Sequence, residues 1–543
     1  MSIEYFVEGK VTLQSKGEIT IQSKENIVNN AGISVEQKGK ETGVSYGKAK
    51  EINSNDKPVN TIEVSLNLFF DGTQNNKTNT QAGKDYKESN HKDDSYTNDF
   101  SNVARGFDAT DPNAENQTSW YIEGIGTEDL ESESTFFGNL PNNAGIPFGM
   151  GDRGVEAKVT KGCIKGAEAL NKYKGQKGIH LKVNVYGFSR GATAARHFLH
   201  IATSTAIMSY TQGGQKIKVF PPYDSGRAEE TFLFTDKDGT LHTFLLQYGY
   251  FGACLIHSGV FPKKITFNFV GLYDTVASFG LVHSNDTTDL GLDAVKKAYF
   301  TLQLAADDEY RDNFDLTNIN STGVKGLTFT LPGVHSDVGG CYVNNDTEIV
   351  NIFYENSNMK ECERFKKILE EEGWYSKEQL DIVHSHNTDF SSPEFRIPGK
   401  MNVGYFGLVG TRKLFNSYDK IPLNTMFHYS KQLGVKYLDS MILFNKINDP
   451  FLVDIYNQLA SYMTACNTLR SSYLEEYNKS NSSGDYVKKL ESINYLDYIN
   501  LKDLKKLRNK YLHWSASATK TGLGPRVGIV TDAKNRKRNI QNG

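Results

Sequence analysis

The sequence predicts an α/β protein with a mostly parallel central sheet flanked by helices, carrying large helical insertions and a short β-rich N-terminal arm. Three observations support that class. Apolar, β-branched and aromatic runs of strand length recur at Thr61 to Phe70, Leu181 to Tyr186, Ile265 to Leu272 and Leu327 to Pro332, as strands buried on both faces require. The run at Leu181 passes through Gly187-Phe188-Ser189-Arg190-Gly191 into the small-residue stretch Ala192 to Arg196, a strand-to-helix turn with a serine at its apex. The runs end in turns holding Asp71, Ser189, Asp274 and His335, at the sheet edge where ligands bind in folds of this kind.

The 543 residues suffice for two to four average domains or one large α/β domain with insertions. Texture divides the chain into a β-rich arm and linker (1–60), a catalytic core with insertions (61–345) and a mostly helical C-terminal region packed on the core (346–543), which could supply a lid or a membrane-facing part. Basic and acidic residues nearly cancel, 61 against 64, so no global field favours nucleic acid, and any basic patch is local, as at Lys534 to Arg538. The N-terminus lacks the basic-then-apolar pattern of a secretory signal, and no run reaches the roughly 18 apolar residues of a membrane span. The five cysteines show no metal-like spacing and form no even disulfide set, so synthesis in a reducing compartment is expected.

Taken in order, Val11 to Glu18 is nearly repeated by Ile19 to Asn26, an eight-residue period of short alternating strands. Such a segment buries no core alone and reads as a docking arm. Lys40 to Asn60 is a polar linker. The first buried run then ends in Asp71-Gly72, where a glycine lets a backbone N–H approach a reacting oxygen; this loop is the expected second half of an oxyanion hole, the first being the N–H of Arg190. Further on, a helix is expected near Ser101 to Phe107, a strand and turn at Trp120 to Gly126, and a helix from Val155 to Lys172 opened by Gly151-Asp152-Arg153-Gly154. An insertion at about 205 to 260 carries a polar hairpin around Asp236 to Gly239. Tyr405 to Leu408 and Tyr437 to Phe444 read as core or as lid.

Ser189, Asp274 and His335 thus follow three strands in succession, in the chain order Ser, Asp, His that belongs to α/β-hydrolases. His428 and His513, each in a His-x-Ser sequence, are rivals for the base.

At Phe70-Asp71-Gly72-Thr73, Gly187-Phe188-Ser189-Arg190-Gly191-Ala192, Tyr273-Asp274-Thr275-Val276 and Gly333-Val334-His335-Ser336-Asp337-Val338-Gly339-Gly340, the chain resembles the GxSxG lipase effectors of the bacterial type VI secretion system. The resemblance spans about 61 to 543 and includes Tyr511 to Ser515. It implies an α/β-hydrolase acting as an antibacterial phospholipase, with Ser189 as nucleophile, Asp274 as orienting acid and His335 as general base. It implies a membrane phospholipid substrate, a cognate immunity protein, and delivery from the producer's cytoplasm into a rival cell, at its periplasm or membrane surface. The N-terminal repeat is similar to the β-rich trunk of type VI spike proteins, so residues 1–60 are expected to mount the enzyme on a spike. Two departures are the long insertion between Ser189 and Asp274, and Cys341 where the motif commonly continues with glycine.

The expected chemistry is acyl transfer to Ser189 by a phospholipase A type ester hydrolase, with Arg190, Gly72 and Asp71 contributing N–H groups to the oxyanion hole. No metal or cofactor is required. A serine triad does not name its substrate, so a non-lipid serine esterase, a peptidase, or an idle hydrolase fold serving as a spike-mounted binding module remain open readings.

Overall fold

The computed structural model describes residues 61–85, 93–131, 153–211, 215–277, 286–356, 359–386, 404–480, 482–520, 523–529 and 536–543. The N-terminal repeat, the linker and Gly149 to Asp152 lie outside these. Along the chain run β1 (Ile62–Phe70), α1 (Asn102–Ala109), β2 (Gln117–Ile122), α2 (Val155–Glu168), β3 (Ile179–Phe188), α3 (Arg190–Thr203), β4 (Ile207–Thr211), β5 (Lys216–Phe220), β6 (Phe232–Thr235) and α4 (Thr240–His257). They are followed by β7 (Lys264–Tyr273), β8 (Phe300–Ala306), β9 (Leu316–Thr317), β10 (Gly326–Leu331), α5 (His335–Gly339), β11 (Asp346–Glu355), α6 (Lys360–Glu371), β12 (Leu380–His386) and β13 (Gly404–Leu414). The last are α7 (Lys420–Gln432), α8 (Asp439–Phe444), α9 (Pro450–Ser480), α10 (Leu501–Lys510) and β14 (Ile540–Gln541).

Six strands form one sheet in the order β10-β8-β7-β3-β1-β2, and every pairing in it is parallel. The cause lies in the sequence: Leu66 to Phe70, Val183 to Phe188 and Phe269 to Tyr273 are buried without a break, which only a sheet covered on both faces allows. Successive residues serve opposite faces. Val64, Leu66, Leu68 and Phe70 belong to the core that α2, α3 and α4 also enter, whereas Phe69, Tyr186 and Phe269 belong to a second core shared with residues of α7, α9 and α10. The order reverses between β1 and β3, so the crevice at their C-terminal ends is the topological switch point. Asp71 and Ser189 flank it.

Three expectations change. The strands bearing Asp274 and His335 are not neighbours, because β8 lies between β7 and β10; its Thr301 and Gln303 interrupt the apolar texture yet are buried, Gln303 accepting from Thr275 Oγ1 at 2.7 Å. The C-terminal region holds, besides its helices, a three-stranded antiparallel sheet β11-β13-β12, in which polar residues such as Asp346, Thr347, Asp381 and Lys413 break the apolar texture. Asp236 to Gly239 is a turn into α4 instead of a hairpin: Asp236 accepts the N–H groups of Gly239 and His242, and Gly239 takes φ 80°. Tyr405 and Leu408 are buried in β13, while Leu443 and Phe444 of α8 are largely exposed.

The two glycines of GxSxG are steric requirements. A Cβ on Gly187 would stand 2.4 Å from the Gly191 carbonyl oxygen, and one on Gly191 would stand 2.2 Å from that of Asp71. Both contacts are with backbone, which cannot step aside cheaply. Gly191→Ala is expected to lower stability by about 1–3 kcal/mol, read as a reduced urea midpoint; an unchanged midpoint would show that β1 and α3 can separate without cost.

Candidate active site

Ser189 is the single residue between the end of β3 and the start of α3, and it turns the chain with φ 57° and ψ −128°. A non-glycine residue in that region is strained by about 1–3 kcal/mol and must be held there by its surroundings. The Ser189 N–H donates to Tyr273 O at 3.0 Å, and its carbonyl accepts the N–H groups of Ala192 and Thr193 at 3.0 and 3.3 Å. Val276 N–H reaches the same carbonyl at 3.4 Å, and Thr193 Oγ1 donates to Val276 O at 2.7 Å. The serine turn is thereby fastened to the turn that follows β7.

That second turn carries Asp274, itself at φ 46° and fully buried. Its Oδ2 meets His335 Nδ1 at 2.5 Å; its Oδ1 accepts the Ala306 N–H at 2.8 Å and Arg538 Nη1 at 2.5 Å. Burial pushes the carboxyl up, but the Arg538 charge and the His335 hydrogen bond outweigh it and hold Asp274 below its ordinary value. His335 opens α5, with its backbone N–H donating to Glu309 Oε2 at 3.2 Å. The imidazole lies between Phe188, at 4.6 Å between ring centres, and Phe314, at 5.1 Å. Burial draws His335 below the ordinary histidine value, Asp274 pulling it up and Arg311 pushing it further down. With Nδ1 committed to Asp274, Nε2 is the nitrogen left for chemistry, on a ring that packs against the residue preceding Ser189.

The structure corrects the oxyanion assignment. Asp71 N–H donates to Ile122 O at 3.0 Å, and Gly72 N–H donates to the Asp71 carboxylate at 2.7 Å, so neither is available to a substrate. Burial raises Asp71 to about 6 against the opposing hydrogen bonds from Ser101, Tyr121 and Gly72, and Tyr121 Oη donates to it at 2.6 Å. The N–H groups of Gln74 and Asn75 are also engaged, by Ile125 O and Gly72 O. Thr73 and Asn76 are the N–H groups of the 71–76 loop without an acceptor among the described residues. The Arg190 N–H, first of α3, has no acceptor within its helix.

Neither rival histidine joins Asp274. His428 lies exposed on α7 beside Gln432, at 2.8 Å. His513 is buried against a different acid: its Nδ1 meets Asp337 Oδ1 at 2.7 Å, its N–H donates to Oδ2 at 3.0 Å, and its ring stacks on Tyr342 at 3.6 Å. The basic run Lys534 to Arg538 conceals Arg538, whose side chain is buried on Asp274, while Arg536 pairs with Glu372. Sequence reading missed Glu309, which binds Arg311 in a two-point pair at 2.9 Å and accepts from Ser515 Oγ. Cys341 takes φ 86°, a conformation that suits glycine, and burial pushes its thiol up to about 12. Among the described residues no group of His, Cys, Asp and Glu side chains is placed to hold a metal ion.

A family model described as type VI secretion system phospholipase effector, Tle1-like, catalytic domain, matches residues 65–362. Among solved structures, the Tle1 effector bound to the VgrG spike from the type VI secretion system is similar at 16% identity and a TM-score of 0.47, over 90% of this chain and 95% of that one. An uncharacterized protein from Pseudomonas aeruginosa is similar at 15% identity and a TM-score of 0.35, over 83% of this chain and 65% of that one. No curated protein sequence matches.

The different settings of the histidines give a test of placement. His513→Ala leaves Asp337 without its ring partner and is expected to cost about 1–3 kcal/mol; His428→Ala is expected to stay within about 0.5 kcal/mol of the parent. Equal urea midpoints for the two variants would contradict the buried Asp337–His513 pair.

Proposed function

We propose, from the premise that the chain belongs to the Tle1-like phospholipase effectors of the type VI secretion system, that it cleaves a carboxylic ester of membrane phospholipids by acyl transfer to Ser189. The family carries the reaction as far as lipid ester hydrolysis. The observation that supports the finer reading is the Asp274–His335 pair beside a strained serine turn, with Ser189 N–H bonded to the carbonyl of Tyr273, the residue before Asp274.

In this mechanism His335 Nε2 takes the Ser189 Oγ proton as Oγ bonds to the ester carbonyl carbon, and Asp274 steadies the imidazolium through Nδ1–H. The tetrahedral oxyanion lies against the N–H groups of Arg190 and Thr73, at the positive end of α3. Collapse breaks the ester C–O bond, and the proton on His335 passes to the leaving lysophospholipid oxygen. Water, deprotonated by the same histidine, then attacks the acyl-serine and releases the fatty acid. That is phospholipase A chemistry.

Family membership also frames the biology. Secretion into a target cell belongs to the family; an antibacterial role there, at the periplasm or membrane surface, and a cognate immunity protein guarding the producer complete the proposal. Spike docking through residues 1–60 is proposed from their eight-residue repeat. Among the described residues no helix is long and apolar enough to cross a membrane.

Two outcomes are expected. Wild-type protein incubated with phospholipid vesicles releases lysophospholipid and free fatty acid, detected by mass spectrometry, and Ser189→Ala releases neither while keeping its fold. Vesicles left intact, with short-chain esters still cleaved, would move the substrate outside lipids; a folded Ser189→Ala that remains active would remove the serine from the mechanism.

The second outcome concerns pH. The base acts when neutral, so kcat/KM rises as His335 loses its proton, and a histidine held below 6.5 places that acidic limb below 6.5. Arg538→Gln removes the positive charge that offsets Asp274, strengthening the hold of Asp274 on the imidazolium. The limb is expected to move up by as much as about one unit, together with a lower plateau. A lower plateau with an unmoved limb would mean that Arg538 only supports the fold.

A further inference from the structure

Arg190 occupies a position that is doubly unfavourable for a cation. It is the first residue of α3, whose first turn holds no acidic residue, so its charge faces the positive end of the helix dipole. Among the described residues its guanidinium makes one hydrogen bond, Nε to Thr73 Oγ1 at 2.7 Å, and forms no ion pair. Five other arginines of the interior are neutralised, Arg105 by Asp419, Arg311 by Glu309, Arg412 by Glu348, Arg508 by Asp308 and Arg538 by Asp274, and Arg526 is bound by the carbonyls of Glu309 and Arg311. Arg196, which lacks a carboxylate, is capped by the carbonyls of Leu292 and Thr317. Among the described residues Arg190 has only a neutral hydroxyl.

Withdrawal from water draws Arg190 down to about 10, which leaves it charged at neutral pH. The side chain is nevertheless not sealed in; it is half-buried, so a ligand can reach it. A desolvated guanidinium with uncommitted N–H donors is matched by an anion offering paired oxygens. It projects from the residue after the nucleophile and is tied to Thr73, whose own N–H has no acceptor among the described residues.

We infer that the Arg190 guanidinium is the receptor for the phosphodiester anion of the lipid substrate, the group that distinguishes a phospholipid from a neutral glyceride. The inference rests on the reading of Ser189 as nucleophile. The glycerol backbone joins the scissile ester to the phosphate, so a cation beside the serine recognises the phosphate while the ester lies on Oγ. The bound anion would neutralise the guanidinium and relieve its opposition to the helix dipole. Arg190 then has two parts: its backbone N–H faces the oxyanion and its side chain sets the head-group class.

The test separates binding from turnover by using the Ser189→Ala protein. Calorimetry would compare a short-chain phosphatidylglycerol, below its micelle concentration, with the diacylglycerol of equal chain length. At least tenfold tighter binding of the phospholipid is expected. Adding Arg190→Gln should abolish that preference, and adding Arg190→Lys, which keeps the charge but loses the planar fork, should retain part of it; matched circular dichroism shows that each variant is folded, and the Lys variant alone decides if the Gln variant is not. A preference that survives both substitutions overturns the inference. Hexanoate competing as well as dimethyl phosphate would overturn it too, assigning the site to the product carboxylate. Hydrolysis by Ser189→Ala itself would fell the serine reading while leaving any Arg190-dependent preference standing, so the two failures are distinguishable.

Discussion

A fully buried carboxylate governs the architecture around the site. Asp274 has no contact with water, and an isolated charge in that position would either be lost by protonation or unfold its surroundings. Its oxygens are satisfied from three distant places: His335 on α5, the Ala306 N–H at the end of β8, and Arg538 from the C-terminal segment. Each of these must therefore reach one spot at the end of β7. The parallel sheet brings the first two there by register, since Tyr273 pairs with Leu304 and Ala306 pairs with Leu331. The third arrives by a separate device, the short parallel pairing of β14 with β9.

A second ring of compensated charge surrounds the first. Glu309 is buried at the end of β8 and accepts from Arg311, from Ser515 and from the backbone N–H of His335, while Arg526 binds its carbonyl. Asp337 accepts from Val334 N–H and from both the N–H and the ring of His513. These bonds fix the start and middle of the short helix that begins with His335, and Asn102 Nδ2 donates to the Val338 carbonyl near its far end at 2.9 Å. Helix α5 has only five residues and would not hold its shape alone. It is held by partners from three parts of the chain: Asn102, Glu309 and His513.

This division explains what the sequence revealed and what it concealed. The strands buried on both faces were legible because continuous apolar texture is a strong local signal, and the serine turn because glycines at Gly187 and Gly191 mark a close approach of backbones. Strand β8 escaped because Thr301 and Gln303 look like surface residues, although the partner that lets Gln303 be buried, Thr275, lies on the Asp274 turn. Arg538 escaped because nothing in a run of basic residues tells a solvated charge from one that meets a carboxylate 264 positions away. The loop donors were misassigned for a finer reason. That Gly72 can approach an oxyanion is a property of glycine, but that its N–H is consumed by the preceding carboxylate is a property of one side-chain rotamer. Sequence specifies the first and not the second.

The same geometry bears on where the catalytic unit ends. The family match closes at residue 362, yet the groups that neutralise Asp274, cap Glu309 and orient Asp337 come from residues 513 to 538. Removing them would leave two buried carboxylates undercompensated at the proposed base. Breaking a buried pair by deleting one partner costs about 3–5 kcal/mol, a large share of the roughly 5–15 kcal/mol that holds a domain together. A piece ending at 362 would therefore retain Ser189, Asp274 and His335 in sequence and lose the field that sets them. Ser189, Asp274 and His335 lie at the ends of strands of one sheet, but the charge that balances Asp274 is supplied by the C-terminal segment.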